Sequence, residues 1–344
     1  MTIRNRLLIL LTAVAVLAAV AATSVLHAAD RAARKDRPQA GGPAVISGPV
    51  ALTGTGTLVF RNMAWGPHRD ELATVPAATP SARRTASGVK CLRFYAASGT
   101  GICLQSVHGA VTDTYRAVVL DARLHERRHY ALAGIPTRAR VSPSGRMVAW
   151  TVFVSGDSYA GTNFSTRTSI LDTRTWQLTS TLEDFRILKS GAARPYHAAD
   201  VNFWGVTFAD DTHFYATLAT AGSTYLVRGD TTTHTVRTLL TNVECPSLSP
   251  DGTRLVFKKR VRGLSPDAPW RLYALDLATM RSRPLAETRS VDDQVVWHGP
   301  RTVLYALPGD YGADLWTVPA DGTGTAHRLM TAALAPAYVG RSGP

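Results

Sequence analysis

VSPSGRMVAW at 141–150 and LSPDGTRLVF at 248–257 share one grammar. Each places an apolar residue before Ser-Pro-x-Gly and an apolar run after it. Pro143 and Pro250 preset the entry to a turn, Gly145 and Gly252 accept the positive φ that a tight turn requires, and the flanks alternate with the period of two of a half-buried strand. The unit therefore reads strand, tight turn, strand. Weaker echoes stand at YAASGTGICL (95–104, with Gly99 at the turn), TFADDTHFYA (207–216) and VWHGPRTVLY (296–305), so the hairpin recurs along the chain.

A second unit lies downstream of each hairpin: AVVLDAR at 117–123, SILDTRT at 169–175, YLVRGDT at 225–231, LYALDLA at 272–278 and LWTVPAD at 315–321, with ELATVPA at 71–77 as an earlier copy. A polar turn and a short apolar strand follow, as in WQLTSTL at 176–182, HTVRTLL at 234–240, SRPLA at 282–286 and HRLM at 327–330. Asp121, Asp172, Asp230 and Asp276 are separated by 51, 58 and 46 residues, close to the roughly 40 to 50 residues of a four-stranded propeller blade. Helical repeats lack the 3.6-residue apolar period, and a sandwich does not repeat one turn chemistry. The reading is all-β, a six-bladed β-propeller with blades near 47–87, 88–135, 137–190, 199–241, 243–288 and 291–331. Blade one lacks a first strand, since GTLVFRNMAW (56–65) reads as a second strand, whereas LAPAYVG (334–340) is an orphan first strand after blade six. The carboxyl end is expected to complete blade one, which pairs two edges that would otherwise invite aggregation.

Ahead of the propeller, Arg4 and Arg6 precede twenty uncharged residues, 7–26, long enough to span a bilayer of about 20 apolar residues. Residues 1–29 read as a signal peptide or a membrane anchor, both open, and either exports the remainder. The Gly/Pro-rich stretch to residue 46 reads as a flexible stalk (30–46), and 47–344 as the propeller. The chain has 38 Lys and Arg against 25 Asp and Glu, a net +13. The charge is dispersed, so nucleic acid is not an expected partner. Three cysteines without a Cys-x-x-Cys pair exclude a structural zinc site as organiser.

SPSG (142–145) and SPDG (249–252), each followed by an apolar strand, a LYALDL-type strand and a PLAET-type turn, resemble the PD40 or WD40-like repeats of the TolB-type propeller. The resemblance covers residues 88–331, and the whole chain is similar to actinobacterial exported proteins labelled TolB-like translocation proteins. It implies a scaffold that binds another envelope protein at the propeller mouth. The separate amino-terminal α/β domain of TolB proper has no counterpart here, because the stalk and first blade fill that space.

Candidate chemistry is sparse. Gly156-Asp157-Ser158 in GDSYAG (156–161) reads as a loop turn, the downstream Asp210-x-x-His213 falling within the tight turn of a later hairpin echo, and no Gly-x-Ser-x-Gly elbow occurs. His125-Glu126-Arg127-Arg128-His129 has the His-Glu-x-x-His spacing, but it follows the AVVLDAR strand unit inside a β-blade, where that spacing does not set two histidines on one helix face. Peptidases with such a propeller carry a catalytic domain after it, and none is expected before Pro344. The more informative positions are polar entries to the innermost strands, which line a propeller's channel: Asp200, Asn202 and Trp204, then Arg138 and Arg140, Glu244, and Asp292, Asp293 and Gln294. Asp200, Asn202, Trp204, Glu244, Asp292 and Asp293 are the binding candidates at the mouth, with Trp204 either an interface anchor or core. The competing reading is a wet channel lined by solvated groups. No Asp-x-Asp-x-Asp-Gly spacing supports Ca²⁺, and no metal or cofactor is expected. His197, His213 and His298 lack ligand spacing. Cys91 and Cys103 flank the first hairpin of blade two; a continuous ladder would hold them about 10 Å apart and a local bulge would join them, so both states stay open, with Cys245 a free buried thiol. Two functions follow: a non-enzymatic, monomeric exported scaffold binding an envelope protein or peptide, or an enzyme or ligand sensor acting on an anionic or glycan ligand in the channel.

Overall fold

The computed structural model describes residues 3–38, 40–109, 112–154, 165–192 and 194–340. An exposed helix, Ile3–Lys35, opens the chain and is long and apolar enough to cross a membrane. It continues nine residues past the uncharged run, and the last of these, Lys35, offers its carbonyl to the Gly66 amide at 2.7 Å. Val45–Ser47 then pairs in parallel with Arg84–Lys90, so the segment expected as stalk ends inside the edge of blade one.

The rest is six β-sheets arranged as a propeller. Blade one runs inward to outward through Ala333–Val339, Thr57–Asn62, Glu71–Pro76 and Arg84–Lys90. The last strand of the chain thus lies innermost in the first blade, with Leu58 opposite Tyr338 and Asn62 opposite Ala333. The innermost strands of blades two to six are Arg93–Ala97, Gly134–Val141, Asn202–Phe208, Glu244–Leu248 and Val296–His298. One assignment shifts: Arg186–Leu188, expected in blade three, pairs in parallel with the outer strand of blade four, and blade three's fourth strand shrinks to Leu178–Thr179. The Thr- and Ser-rich 178–181 stretch has few apolar groups to bury, whereas Ile187 is 2% exposed against Phe203 and Phe214.

The repeat motif has a structural cause. In both Ser-Pro-x-Gly turns the serine hydroxyl accepts the first amide of the second strand, Met147 N to Ser142 Oγ and Arg254 N to Ser249 Oγ, each at 3.0 Å. Gly145 has φ 80° and a Cβ there would sit 3.0 Å from the Ala97 carbonyl of blade two, so glycine is needed both for the turn and for the inter-blade approach. The periodic aspartates terminate third strands as Asx turns: Asp172 Oδ1 accepts the Arg174 amide at 2.8 Å, Asp230 that of Thr232 at 2.7 Å, and Asp276 that of Thr279 at 2.8 Å. Apolar alternation delivers the remaining side chains to wedges between adjacent blades, such as Ile102, Leu104, Val148 and Trp150 between blades two and three and Val256, Leu272, Val303 and Tyr305 between five and six. Burial of each large side chain contributes about 1.5 to 3 kcal/mol.

Candidate functional site

Innermost strands enter the channel from one face, and polar side chains of blades two, three, five and six meet there. Blade five supplies the centre. Glu244 faces Lys258 across the ladder, and the Lys258 ammonium, 3% exposed, contacts Asp292 directly and lies 3.8 Å from Glu244 Oε2. Glu244 also accepts Arg260 Nε at 3.0 Å and the Trp270 indole at 3.1 Å. Burial opposes the charge of Asp292, but Lys258 and Arg138 more than offset it and hold the carboxyl below the usual range. Water still reaches it, at 61% exposure. Asp293 accepts the Ala306 amide at 3.1 Å.

Below this vestibule the axis is filled. Arg140 reaches from blade three to donate to the Val295 carbonyl at 3.1 Å and stacks 4.4 Å over Tyr95. Gln294 donates to the Val206 carbonyl of blade four at 3.1 Å and the Pro246 carbonyl of blade five at 2.8 Å. Arg138 Nε lies 3.4 Å from Cys245 Sγ. The chain conformation makes these reaches possible: Gly205 at φ 66° lets the blade-four strand approach Cys245, whose Cα would lie 2.8 Å from a Cβ. What remains is a cavity of about 30 Å³ between Arg93, Thr137, Arg138, Arg140, Asp293 and Gln294, room for one or two water-sized groups.

The sequence candidates divide. Glu244, Asp292 and Asp293 meet in the vestibule with Arg138, Arg140 and Gln294. Asp200 does not join them: it binds Thr220 Oγ1 at 2.7 Å and the Ala221 amide at 2.6 Å, closing a blade-four hairpin. Asn202 accepts the Thr166 amide of blade three at 2.6 Å. Trp204 is 9% exposed, which places it among core side chains. GDSYAG at 156–161 lies outside the described residues. His213 pairs with Asp210, and His298 stacks on Tyr338 at 4.1 Å. Among the described residues, no group of three His, Cys, Asp or Glu is placed to hold a metal ion.

Two residues escaped the sequence reading. Lys258 sits on a second strand, but its pairing with Glu244 turns it into the channel; the signal was a lysine in the alternation Val256, Lys258. Arg93 opens the inner strand of blade two beside the Cys91–Cys103 disulfide, whose Cα atoms are 5.4 Å apart. Tyr95 does face Ile102, as a continuous ladder requires, yet the chain leaves that ladder before Leu92: the Leu92 amide bonds Leu104 O at 2.7 Å, whereas the Cys91 amide turns to Asp70 O at 3.0 Å. That bend brings the sulfurs together and leaves Leu92 O for Arg61 at 2.8 Å. Cys245 is free and buried.

No protein-family model matches the chain, and no curated protein matches it. Among solved structures it is similar to TolB from Acinetobacter baumannii, at 16% identity and a TM-score of 0.56, over 83% of this chain and 66% of that one. A puromycin-hydrolyzing peptidase from Mycobacterium tuberculosis aligns at 16% identity and a TM-score of 0.51, over 82% of this chain and 44% of that one. The chain therefore spans less than two thirds of either structure, and identity this low speaks for fold and not for activity. Six blades, Ser-Pro-x-Gly hairpins and this likeness together establish that the chain has the TolB-type six-bladed β-propeller fold.

Proposed function

We propose that the protein is a non-enzymatic, monomeric scaffold, exported behind its amino-terminal helix, that binds an envelope protein or peptide at the entrance face of the propeller. The filled axis is the observation that carries this reading. With Arg140 and Gln294 bonded across the channel, the face offers charged groups around a cavity of about 30 Å³, suited to a surface group of a larger partner and too small to enclose a glycan. Neighbours of this fold include both a TolB and a peptidase, so the site and not the fold supports the choice. The helix supports export, as signal or as anchor, and an anchored form would hold the propeller at the membrane.

The test uses the full chain in detergent. A partner is captured from envelope extract, and its binding and the melting temperature are measured for Asp292→Ala, Asp293→Ala and Trp204→Ala. Binding changed in either direction by well-folded aspartate variants supports the vestibule, and charge there should affect association rate and salt dependence more than dissociation. Unchanged binding by well-folded aspartate variants removes the vestibule as the docking site. Trp204→Ala is expected to lower stability by about 3 to 5 kcal/mol.

A further inference from the structure

We infer that the vestibule is a carboxylate receptor: Arg93 and Arg138 grip a carboxylate presented by the docked partner. The inference rests on docking at the entrance face and names the chemical group that enters.

The observations concern donors that are not used. A guanidinium offers five N–H donors. Among the described residues, the Arg93 side chain makes no hydrogen bond and no ion pair, although it lines the same small cavity as Arg138 and Arg140. Arg138 spends Nε on a thiol, a weak acceptor, and another nitrogen on the neighbouring Thr137 carbonyl at 2.9 Å; its approach to Asp292, 3.8 Å, is longer than a hydrogen bond. Arg140 Nε is buried with no partner, on a side chain only 5% exposed. A buried donor without an acceptor is costly, and Arg140 Nε stands on the same cavity as two half-buried guanidiniums, Arg93 and Arg138, that have donors to spare.

Charge points the same way. Arg93, Arg138, Arg140 and Lys258 are opposed by Glu244, Asp292 and Asp293, and Glu244 is further engaged by Arg260. Asp292 is held by Lys258, and Asp293 by the Ala306 amide. Positive charge is therefore in excess where Arg93 stands, and burial together with the like charge of Arg138 holds the Arg93 guanidinium below its ordinary pKa. A bound anion relieves both. The cavity, about 30 Å³, admits the two oxygens of a planar carboxylate, which the guanidinium fork matches edge to edge, and is small for a phosphate with its substituents.

The carboxylate comes from a peptide carboxyl terminus or an acidic side chain, and two arms separate these sources. In the first arm, the full chain is melted with acetate or with acetamide at one ionic strength. Acetate at 100 mM is expected to raise the melting temperature by about 2 °C and acetamide not at all. Arg93→Gln, which removes no native bond and so should fold, is expected to lose most of that shift, and Arg93→Lys to keep only part. In the second arm, fluorescence anisotropy compares labelled Gly-Ala-Gly-Ala with a free carboxyl end, the same peptide amidated, and an amidated Gly-Ala-Glu-Ala. Binding of the free-ended peptide assigns a carboxyl terminus, and binding of the Glu peptide assigns a side chain. Equal effects of acetate and acetamide, an undiminished acetate shift in Arg93→Gln, or binding of neither acidic peptide overturns the inference. Those outcomes leave docking itself to be judged by the captured partner and the aspartate variants.

Discussion

Arg84, buried, and Arg93, half-buried, sit in opposite chemical circumstances. Arg84, 2% exposed, lies where the ring closes. It donates to Asn62 Oδ1 at 2.8 Å, to Ala332 O at 2.7 Å and to Thr331 O at 2.5 Å, and its guanidinium lies 5.1 Å from the Phe60 ring centroid. Burial lowers its pKa to about 10 against the attraction of Asp314, which still leaves it charged at neutral pH. Arg93 has the same side chain at the vestibule and none of these acceptors. Where the chain closes on itself, the donors are consumed by its own carbonyls; where it faces the channel, they are kept open. The difference separates an arginine that holds the fold from one that the fold holds ready.

The largest effect should come from removing what Arg84 holds. Deleting residues 332–344 takes away the innermost strand of blade one, exposes the edges of Thr57–Asn62 and of the neighbouring wedges, and removes the Ala332 carbonyl from Arg84. Most of the cooperative melt should disappear, and a sharp transition near the wild-type temperature would show that ring closure contributes little. Next, Arg84→Ala leaves Asn62 and two backbone carbonyls without their donor and should cost about 3 kcal/mol in denaturant unfolding. A loss below about 1 kcal/mol would erase the contrast drawn between the two arginines.

A smaller effect concerns the turn aspartates. Arg146 binds both oxygens of Asp172, at 2.6 to 3.1 Å, and with the Arg174 and Thr175 amides lowers its pKa to about 2. Because the folded value lies below the unfolded one of about 3.9, this stabilisation is full above about pH 5 and is lost as pH falls toward 2. With solvent screening it amounts to about 1 kcal/mol. Asp172→Asn should therefore melt earlier than wild type at pH 6, with the gap closing by pH 2; a gap independent of pH would assign the effect to packing. The smallest change is expected for Arg93→Gln in ligand-free buffer: stability within about 0.5 kcal/mol of wild type, or slightly higher, since a like-charge contact with Arg138 is relieved. A loss as large as that of Arg84→Ala would mean that Arg93 is structural after all.

The fold was legible because its punctuation is chemical. Pro143, Gly145, Pro250 and Gly252 mark turns by their backbone limits, and Asp172, Asp230 and Asp276 recur because each closes the same turn by accepting its amides. The vestibule was only partly legible. Counting along innermost strands found Glu244, Asp292 and Asp293, but it also selected Asp200 and Asn202, which are consumed by a hairpin and by the neighbouring blade. A register shift between Trp204 and Thr207 breaks the alternation on which that count relied. Lys258 was missed because its role depends on the partner strand, and Arg93 because a bend before Leu92 sets its position. Alternation describes a flat strand; sites here form where strands are bulged or bent.

The hydrogen bonds across the axis give the ring spokes. Arg140 links residues 155 positions apart, Gln294 residues 88 and 48 apart, and Arg138 reaches Cys245 over 107. A propeller without such links resembles a closed solenoid, in which each blade answers only to its neighbours and one blade can fray while the rest persist. Here blades three, four, five and six share a hub. A load applied at the hub is divided among four sheets at once, so it meets the shear resistance of those blades together and does not peel a single one from its rim.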